Sequence, residues 1–379
     1  MRYWPYVLII ATACLMMALF WQGPNLTFDD ANYIHYAQLL TQGKLSFTSS
    51  PYSYGLGYIA LVALALPFPA LLNAIEYIAI LLICYQILTR YFDKDAAFIG
   101  AICAAIAPFM FIYATRILPD MSLGLIFSLV FLIYAYKPQS TKWAFAAGLL
   151  AGSSIFIKFG GFVLLMLLMP IWALALLAFA AILGLGLDYK PRLCALILGI
   201  ILMLGAYQLL SPVSIHYLAQ TYSQVQVNLA QTTWINNIGT MLDMGNLIGY
   251  GFMSGQVFPI GILFILAVFG TAIIIWERKK TLYFALVAFW LGWLYLFFGT
   301  ESFSSYALIT IVDRYLIPFL PPMLILGTMA IQKLMELRPR YRLGMALGII
   351  GLAMLLNLPV YHFFALHHFI NYTITKAGT

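Results

Sequence analysis

Long apolar segments recur along almost the whole chain, and they are the feature that most limits what it can fold into. Each has close to the roughly 20 residues that an α-helix needs to cross a bilayer. They lie near residues 4–22, 71–90, 96–114, 118–136, 143–158, 160–186, 192–210, 257–276, 281–298, 314–333 and 343–361. Hydrophobic residues make up 64% of the 379 and charged residues only 8%. The chain is therefore predicted to be an all-α polytopic membrane protein with about eleven transmembrane helices.

Two segments between these spans are long enough to form structure of their own, residues 23–70 and 211–256. In the first, Thr27 and Asp30 have the spacing of a capping box and Gly43 suits a helix end, which predicts a short amphipathic helix. The apolar residues 57–69 are too few to cross a bilayer and predict a second interfacial or re-entrant helix. The second segment is rich in polar residues and is either a ligand-contacting surface or a plain loop. We expect one transmembrane domain over 1–379, with no separate soluble domain.

The basic residues predict how the chain is oriented. With a cytoplasmic N-terminus, most of the 19 Lys and Arg residues fall on the cytoplasmic side, as the positive-inside rule requires. The net charge of +7 is then a membrane anchor and gives no sign of a nucleic-acid partner. We expect a multi-pass protein of the plasma membrane. In this orientation several acids lie on or near the outer face: Asp29, Asp30, Glu76, Asp120, Asp243, Glu301 and Asp313.

Asp29 and Asp30 stand side by side where the first outer helix is predicted to begin. An acid in a first helical turn gains about 0.3–1 kcal/mol from the helix dipole. One aspartate is enough for that effect, whereas two adjacent carboxylates repel each other. A functional role for the pair is therefore favoured over a purely electrostatic one.

Three cations are predicted on the same outer face. Arg116 and Asp120 lie four residues apart, and they either form a simple pair that closes a tight loop or act as an anion binder and its orienting partner. Lys158 lies alone between apolar runs, where it either snorkels to the interface or serves a site. Arg314, followed by Tyr315, lies at an outer helix end. Together the three suit a phosphate or pyrophosphate leaving group, which Arg binds as a fork and Lys as a point charge.

A carboxylate next to an anion clamp is what glycosyl transfer from a lipid phosphate needs. The base draws a proton from an acceptor hydroxyl, and the clamp stabilises the charge that develops on the departing phosphate. By analogy with sugar hydrolysis, a single displacement would invert the anomeric carbon.

These motifs resemble the membrane glycosyltransferases of the GT-C fold, in the group that contains protein O-mannosyltransferases and the lipid A aminoarabinose transferase. The resemblance is carried, in chain order, by D-D-A-N-Y at Asp29–Tyr33, R-I-L-P-D at Arg116–Asp120, Lys158, and R-Y-L-I-P at Arg314–Pro318.

The resemblance implies a role for each matched residue. Asp29 takes the position of the general base, and Asp30 is the second acid. Arg116, Lys158 and Arg314 would bind the donor phosphate. Supporting roles are predicted for Asp120, Tyr33, Tyr315 and Glu301.

The resemblance also implies partners. The donor would be a polyprenyl-phosphate sugar that enters from the outer leaflet among membrane lipids, and the acceptor hydroxyl would belong to a protein, lipid or glycan. The resemblance assigns no definite cofactor, and it allows a divalent metal at Asp29 and Asp120. The chain has S-P-Y-S-Y-G at Ser50–Gly55 where relatives often carry a proline-rich turn, so the acceptor is not implied.

Two other classes of protein fit part of the pattern. A transporter or lipid flippase also has many spans with few charges, but its charges usually lie near the midplane, and two matching halves with interrupted helices are missing here. A membrane scaffold without chemistry would leave the outer charges dispensable. The glycosyltransferase is the favoured hypothesis.

Overall fold

The computed structural model describes residues 3–21, 28–44, 55–158, 190–210, 261–298, 313–355 and 357, and within these ranges every regular element is a helix. The α-helices are α1 (Trp4–Leu19), α2 (Phe28–Thr41), α3 (Leu56–Ala65), α4 (Ala70–Tyr91), α5 (Lys94–Ala105), α6 (Pro108–Ala114), α7 (Asp120–Tyr136), α8 (Thr141–Ile157), α9 (Lys190–Leu210), α10 (Gly261–Trp276), α11 (Tyr283–Phe298), α12 (Leu320–Leu337) and α13 (342–355). Short 3₁₀ segments, Lys280–Leu282, Asp313–Phe319 and Pro339–Tyr341, precede the last three. The all-α prediction is confirmed for this part of the chain.

The helices account for most of the predicted apolar segments. By length and composition, Ala70–Tyr91 and Leu316–Leu337 can each cross a membrane, and the bent pair α5 and α6 gives a third candidate if it is one span. The other apolar helices have 10–17 residues. The predicted segment 160–186 and the second outer loop, 211–256, lie outside the described residues. The count of about eleven spans stays a prediction.

The 57° bend between α5 and α6 has a local cause. Pro108 has no N–H and its ring crowds the preceding turn, so α5 cannot continue through it. Ala107, the residue before it, has the extended backbone that a following proline favours, with φ −73° and ψ 124°. The hydroxyl of Tyr77 on α4 donates a 2.5 Å hydrogen bond to the carbonyl of Ala105 beside the break. α4 thus satisfies a carbonyl beside the break.

α2 ends in the glycine cap that the sequence predicts. Gly43 has a φ of +67°, which glycine adopts without strain. Its N–H donates to Leu40 O at 3.0 Å, and the N–H of Lys44 donates to Leu39 O at 2.9 Å. This is the pair of bonds of a Schellman motif. The predicted capping residue Thr27 lies outside the described residues.

The first outer loop folds back onto the bundle. α3 packs against α2, α4 and α8, while α4 in turn packs against α5, α6 and α7. The predicted second helix of this loop is therefore present as α3, and its position relative to a membrane stays a prediction. Its packing brings α2 and α3 to the start of α4, the turn before α7 and the end of α8. The candidate site lies where these five elements meet.

Candidate active site

A buried ion pair joins the first outer loop to the turn before α7. The side chain of Asp30, on α2, is only 2% exposed, and its Oδ2 lies 3.6 Å from Arg116 Nε. Its other oxygen, Oδ1, accepts a 2.9 Å hydrogen bond from the backbone N–H of Ile117. Asp30 therefore holds two consecutive residues of the turn, one by charge and one by its backbone.

A second buried ion pair joins the start of α7 to the end of α8. Asp120 is the first residue of α7, and Lys158 caps the C-terminal end of α8. Lys158 Nζ lies 3.3 Å from Asp120 Oδ1, and the Asp120 side chain is also only 2% exposed. Lys158 thus makes a specific ion pair with a carboxylate, which simple extension of the side chain to the membrane interface would not require.

The two pairs differ from the simple loop closure considered for Arg116 and Asp120. Arg116 meets a carboxylate on α2, and Asp120 meets an ammonium group on α8. The two residues flank Pro119, with Arg116 in an irregular turn and Asp120 in the helix. Because the helical i, i+4 geometry does not apply across this turn, their side chains can reach different elements. The short segment 116–120 thereby connects both ion pairs.

Asn73 on α4 is fully buried and makes hydrogen bonds to α3 and to the segment between α6 and α7. Its Oδ1 accepts a 2.9 Å bond from the hydroxyl of Tyr58 on α3. Its Nδ2 donates to the backbone carbonyl of Leu118 at 2.8 Å and reaches that of Tyr113 at 3.5 Å. One side chain therefore ties α3 and α4 to both ends of the turn that carries Arg116. Neither Asn73 nor Tyr58 was predicted from the sequence as a site residue.

Glu76 lies one turn further along α4, on the same face as Asn73. Its Oε1 accepts a 2.6 Å hydrogen bond from the hydroxyl of Ser122, which follows Asp120 by two residues on α7. Its Oε2 makes no hydrogen bond within the described part of the chain, although the residue is only 5% exposed. The sequence placed Glu76 near the outer face, and its spacing from Asn73 within an apolar helix is the signal that could have assigned both to the site.

Tyr33, predicted to support the site, is buried against Tyr58. The two rings are 4.8 Å apart at their centroids and nearly perpendicular. Burial, together with the nearby carboxylate of Glu76, raises the pKa of Tyr58 well above its usual value. Tyr58 is therefore a neutral phenol, as its donation to Asn73 requires.

Two glycines let α3 approach the end of α8 beside Lys158. A Cβ at Gly55 would overlap the backbone carbonyl of Ile157, the residue before Lys158. A Cβ at Gly57 would lie 2.8 Å from the Cβ of Phe156. These glycines accept backbone contact that any larger residue would prevent. Gly55, the last residue of the segment where the chain departs from relatives, is thus part of the packing around the lysine.

Four predicted site residues are described only in part or not at all. Asp29 lies in the first turn of α2, and Arg314 and Tyr315 lie in the 3₁₀ segment Asp313–Phe319, which packs against α6 and α7. The side chains of these three residues lie outside the described part of the chain. Glu301 lies outside it altogether. Their roles stay predictions.

The described donor groups do not form a metal site. In the ranges that the structure covers, no three His, Cys, Asp or Glu side chains come together as ligands. Asp120, one of the two positions where the sequence allowed a divalent metal, is directed to Lys158. The side chain of Asp29, the other position, is outside the description.

The arrangement is suited to holding an anion. Each aspartate is buried, whereas Arg116 and Lys158 each keep 20% of the side chain exposed. The carboxylates fix the direction of the cations, and the exposed part of each cation remains able to meet a phosphate oxygen. Arg116 lies at one end of the segment 116–120 and Lys158 contacts Asp120 at the other, and an arginine fork with a lysine point charge is a combination that suits a phosphate.

Comparison with known protein families gives a match for part of the chain. Residues 64–179 match the family described as dolichyl-phosphate-mannose-protein mannosyltransferase. This segment includes Asn73, Arg116, Asp120 and Lys158. No curated protein matches the chain in sequence.

Solved structures match most of the chain. ArnT from Cupriavidus metallidurans in the apo state is similar with a TM-score of 0.62 and 14% identity, over 90% of this chain and 62% of that one. The same protein bound to undecaprenyl phosphate gives 0.53 and 14%, over 97% and 76%. The Archaeoglobus fulgidus oligosaccharyltransferase with zinc and sulfate gives 0.58 and 15%, over 96% and 53%. The chain thus spans less than two thirds of the apo ArnT chain, and it has the GT-C fold of the membrane glycosyltransferases that its motifs resemble.

Proposed function

We propose that this chain is a glycosyltransferase that moves a sugar from a polyprenyl-phosphate donor to a hydroxyl group of a protein, lipid or glycan. The observation that carries the proposal is the pair of partly exposed cations, Arg116 and Lys158, each paired with a buried aspartate, of which Asp30 lies at the acidic start of α2. Two solved proteins of this fold support a lipid-phosphate donor. ArnT is seen with undecaprenyl phosphate, and the archaeal oligosaccharyltransferase AglB is seen with a dolichol-phosphate.

The proposed reaction is a single displacement. Asp29 takes the proton of the acceptor hydroxyl, and the hydroxyl oxygen forms a bond to the anomeric carbon. The bond from that carbon to the donor phosphate oxygen breaks, and its electron pair leaves with the phosphate. Arg116 and Lys158, with Arg314 as a third cation, stabilise the negative charge that develops there. The configuration at the anomeric carbon is inverted.

The two neighbouring aspartates have different proposed roles. Asp30 is buried, accepts a bond from the N–H of Ile117 and pairs with Arg116, so its oxygens are directed to the turn. That engagement supports a holding role for Asp30. Asp29 is left as the proposed base, in agreement with the motif that it matches.

We place this site on the extracytoplasmic side of the plasma membrane, with the N-terminus in the cytoplasm. The distribution of Lys and Arg supports this orientation. A polyprenyl-phosphate donor would then approach through the outer leaflet, with its phosphate at the level of the clamp. Membrane lipids surround the rest of the bundle.

Release of the free lipid phosphate tests the proposal without knowledge of the acceptor. Membranes that contain the full chain would be supplied with undecaprenyl phosphate carrying a radiolabelled sugar, and unlabelled undecaprenyl phosphate would be quantified. We expect release with the wild-type chain and a loss of about 100-fold or more with Asp29→Asn, as removal of a general base produces. Asp95→Asn, at an exposed position in the first turn of α5, is the matched control and should keep its activity.

Two results would contradict the proposal. Turnover retained in Asp29→Asn would remove Asp29 as the base. Movement of the labelled lipid or of a solute across proteoliposomes, without any release of undecaprenyl phosphate, would favour a flippase or transporter instead.

A further inference from the structure

Asn73 is a buried polar side chain that contacts both ends of the segment carrying Arg116. It is fully buried, and both ends of its amide group are used. The oxygen accepts from Tyr58 at 2.9 Å, and the nitrogen donates to the carbonyl of Leu118 at 2.8 Å. Because a carbonyl oxygen can only accept, the amide must direct its nitrogen to Leu118 and its oxygen to Tyr58. The orientation of the side chain is therefore determined by its partners.

The two carbonyls that Asn73 meets lie on either side of the residues that hold Asp30. Tyr113 O, 3.5 Å from the amide nitrogen, precedes Arg116 by three residues, and Leu118 follows it by two. Between them, Arg116 reaches Asp30 with its guanidinium and Ile117 reaches it with its N–H. Asn73 thus fixes the ends of a turn whose middle contacts the aspartate.

This turn needs such a partner. Residues 115–119 are neither helix nor strand, and the carbonyl of Leu118 within them accepts its hydrogen bond from the Asn73 side chain, whereas that of Tyr113 also accepts one from the N–H of Arg116. A helix such as α4 is a rigid support, and a side chain in its first turns can hold an adjacent irregular segment in one conformation. Loss of the amide would leave the carbonyl of Leu118 without this donor and would release the turn.

We propose that Asn73 is a positioning residue that presents the guanidinium of Arg116 to the phosphate of the lipid donor. The inference rests on the proposed function, since it assigns the phosphate as the anion that Arg116 binds. Asn73 itself acts through the backbone of the turn. Tyr58 takes part by holding the amide oxygen, and through it α3 of the first outer loop is coupled to the arginine.

Binding of undecaprenyl phosphate to the purified full chain tests this role. The affinity would be compared with that for undecaprenol, which has the same chain and no phosphate. We expect Asn73→Ala to weaken undecaprenyl phosphate binding on the order of tenfold, as the loss of one good charge-assisted contact would. Thr271→Val is the matched control, because it removes an interhelical hydrogen bond, to Trp290 at 3.1 Å, from a different part of the bundle.

Double variants separate positioning from general loosening of the structure. If Asn73 acts through Arg116, the double variant Asn73→Ala/Arg116→Ala should bind as weakly as Arg116→Ala alone. Combined with Lys158→Ala, the loss from Asn73→Ala should instead add to the loss from the lysine. If Asn73→Ala acted only by loosening the structure, it would weaken binding equally in the Arg116→Ala and Lys158→Ala variants. Loss of a buried hydrogen bond elsewhere, as in Thr271→Val, would then weaken binding as well.

The outcomes distinguish this inference from the proposed function. If the wild-type chain binds undecaprenyl phosphate no better than undecaprenol, both are wrong. If the wild-type chain binds undecaprenyl phosphate more tightly than undecaprenol, and Arg116→Ala does not, the proposed function stands. In that case the positioning role alone is overturned by either of two results: an Asn73→Ala variant with wild-type affinity, or a loss of affinity from Asn73→Ala that adds to the loss from Arg116→Ala. If Asn73→Ala does not yield folded protein, Tyr58→Phe replaces it with the same criteria and a smaller expected loss of about threefold.

Discussion

Ion pairs lie near both ends of α4. They differ far more in burial than in the distance between their charged atoms. Near its start are the pairs of Arg116 with Asp30 and Lys158 with Asp120, whose carboxylate side chains are 2% exposed. Beyond its other end, about 30 Å away along a 22-residue helix, Arg342 pairs with Asp93, which is 56% exposed. A second exposed network, centred on Lys333, lies near the same end, because Gln332 beside it accepts a bond from the N–H of Asp93.

The ion pairs of Lys333 are shorter than the two buried pairs, whereas the pair of Arg342 with Asp93, at 3.9 Å, is longer. Lys333 Nζ lies 2.7 Å from Glu277 and 2.8 Å from Glu336, whereas the buried pairs are 3.3 and 3.6 Å apart. Distance alone would therefore rank the exposed network first. Burial reverses the ranking, because a buried charge that loses its partner cannot be rescued by water. An exposed pair contributes about 0–1 kcal/mol.

The difference indicates what each end of the bundle does. Burying carboxylates costs free energy that packed apolar side chains would not, so their presence calls for a reason besides stability. Under the proposed function, binding of a lipid phosphate is such a reason at the start of α4. The exposed network agrees with the proposed orientation, in which the positive-inside pattern puts Lys333 at the cytoplasmic membrane surface.

The largest expected effect comes from removing one partner of a buried pair. Arg116→Met should lower the free energy of unfolding by about 3 kcal/mol, because Asp30 is left buried without its cation. Thermal unfolding of the purified chain measures this loss. Asp30→Asn in the same molecule keeps an acceptor for the N–H of Ile117 and should restore most of the stability, but not the binding of undecaprenyl phosphate. Equal stability of Arg116→Met and the wild-type chain would show that the buried ion pair is no more important for stability than the exposed ones.

A smaller effect is expected at the close approach of α3 to α8. Gly55→Ala would force the new Cβ against the carbonyl of Ile157 and should cost about 1–3 kcal/mol by overpacking. Because Lys158 follows directly, release of undecaprenyl phosphate should fall as well. The control is Gly205→Ala on α9, where the structure leaves open space around a Cβ. A Gly55→Ala chain with unchanged unfolding and unchanged release would contradict the packing role.

The carboxyl of Glu76 gives the next test. Ser122→Ala removes the hydroxyl that donates to Glu76 Oε1 and should destabilise the chain by about 1–3 kcal/mol, the cost of an unsatisfied buried group. Ser154→Ala is the matched control. The buried Ser154 hydroxyl donates a 2.6 Å hydrogen bond to Ala151 O in the same helix, so its loss leaves no carboxyl group without a donor. Thermal unfolding of the two variants side by side gives the answer. The same loss in both would show that Glu76 does not depend on Ser122.

Much of the helical framework could be predicted from the sequence, for a simple reason. A helix that faces lipid or the core of a bundle must be apolar over its length, so composition alone reveals it. The cap at Gly43 could be predicted because only glycine enters a positive φ without strain. The bend at Pro108 has an equally local cause, although residues 96–114 were predicted as one continuous apolar segment.

The partners within the site could not be predicted in the same way. Arg116 and Asp120 have the spacing of a helical pair, but one lies in a turn, so the spacing rule does not apply to them. The partners Asp30 and Lys158 are distant in sequence and become neighbours only through packing. Asn73 lies in an apolar span, where sequence alone does not distinguish a structural amide from a functional one. Its role becomes visible only with the carbonyls that it meets.

The smallest effect is expected at the exposed end, where Lys333 makes the shortest ion pair within the described ranges, 2.7 Å from Glu277. Lys333→Ala should lower the free energy of unfolding by about 1 kcal/mol or less, because water takes over the solvation of both glutamates. Added salt should shrink even this loss, since exposed charges are screened within about 10 Å at 0.1 M ionic strength. Thermal unfolding at low and high salt measures both effects. A salt-resistant loss as large as that of Arg116→Met would mean that burial does not separate the two ends, and the reason for assigning function to only one of them would be gone.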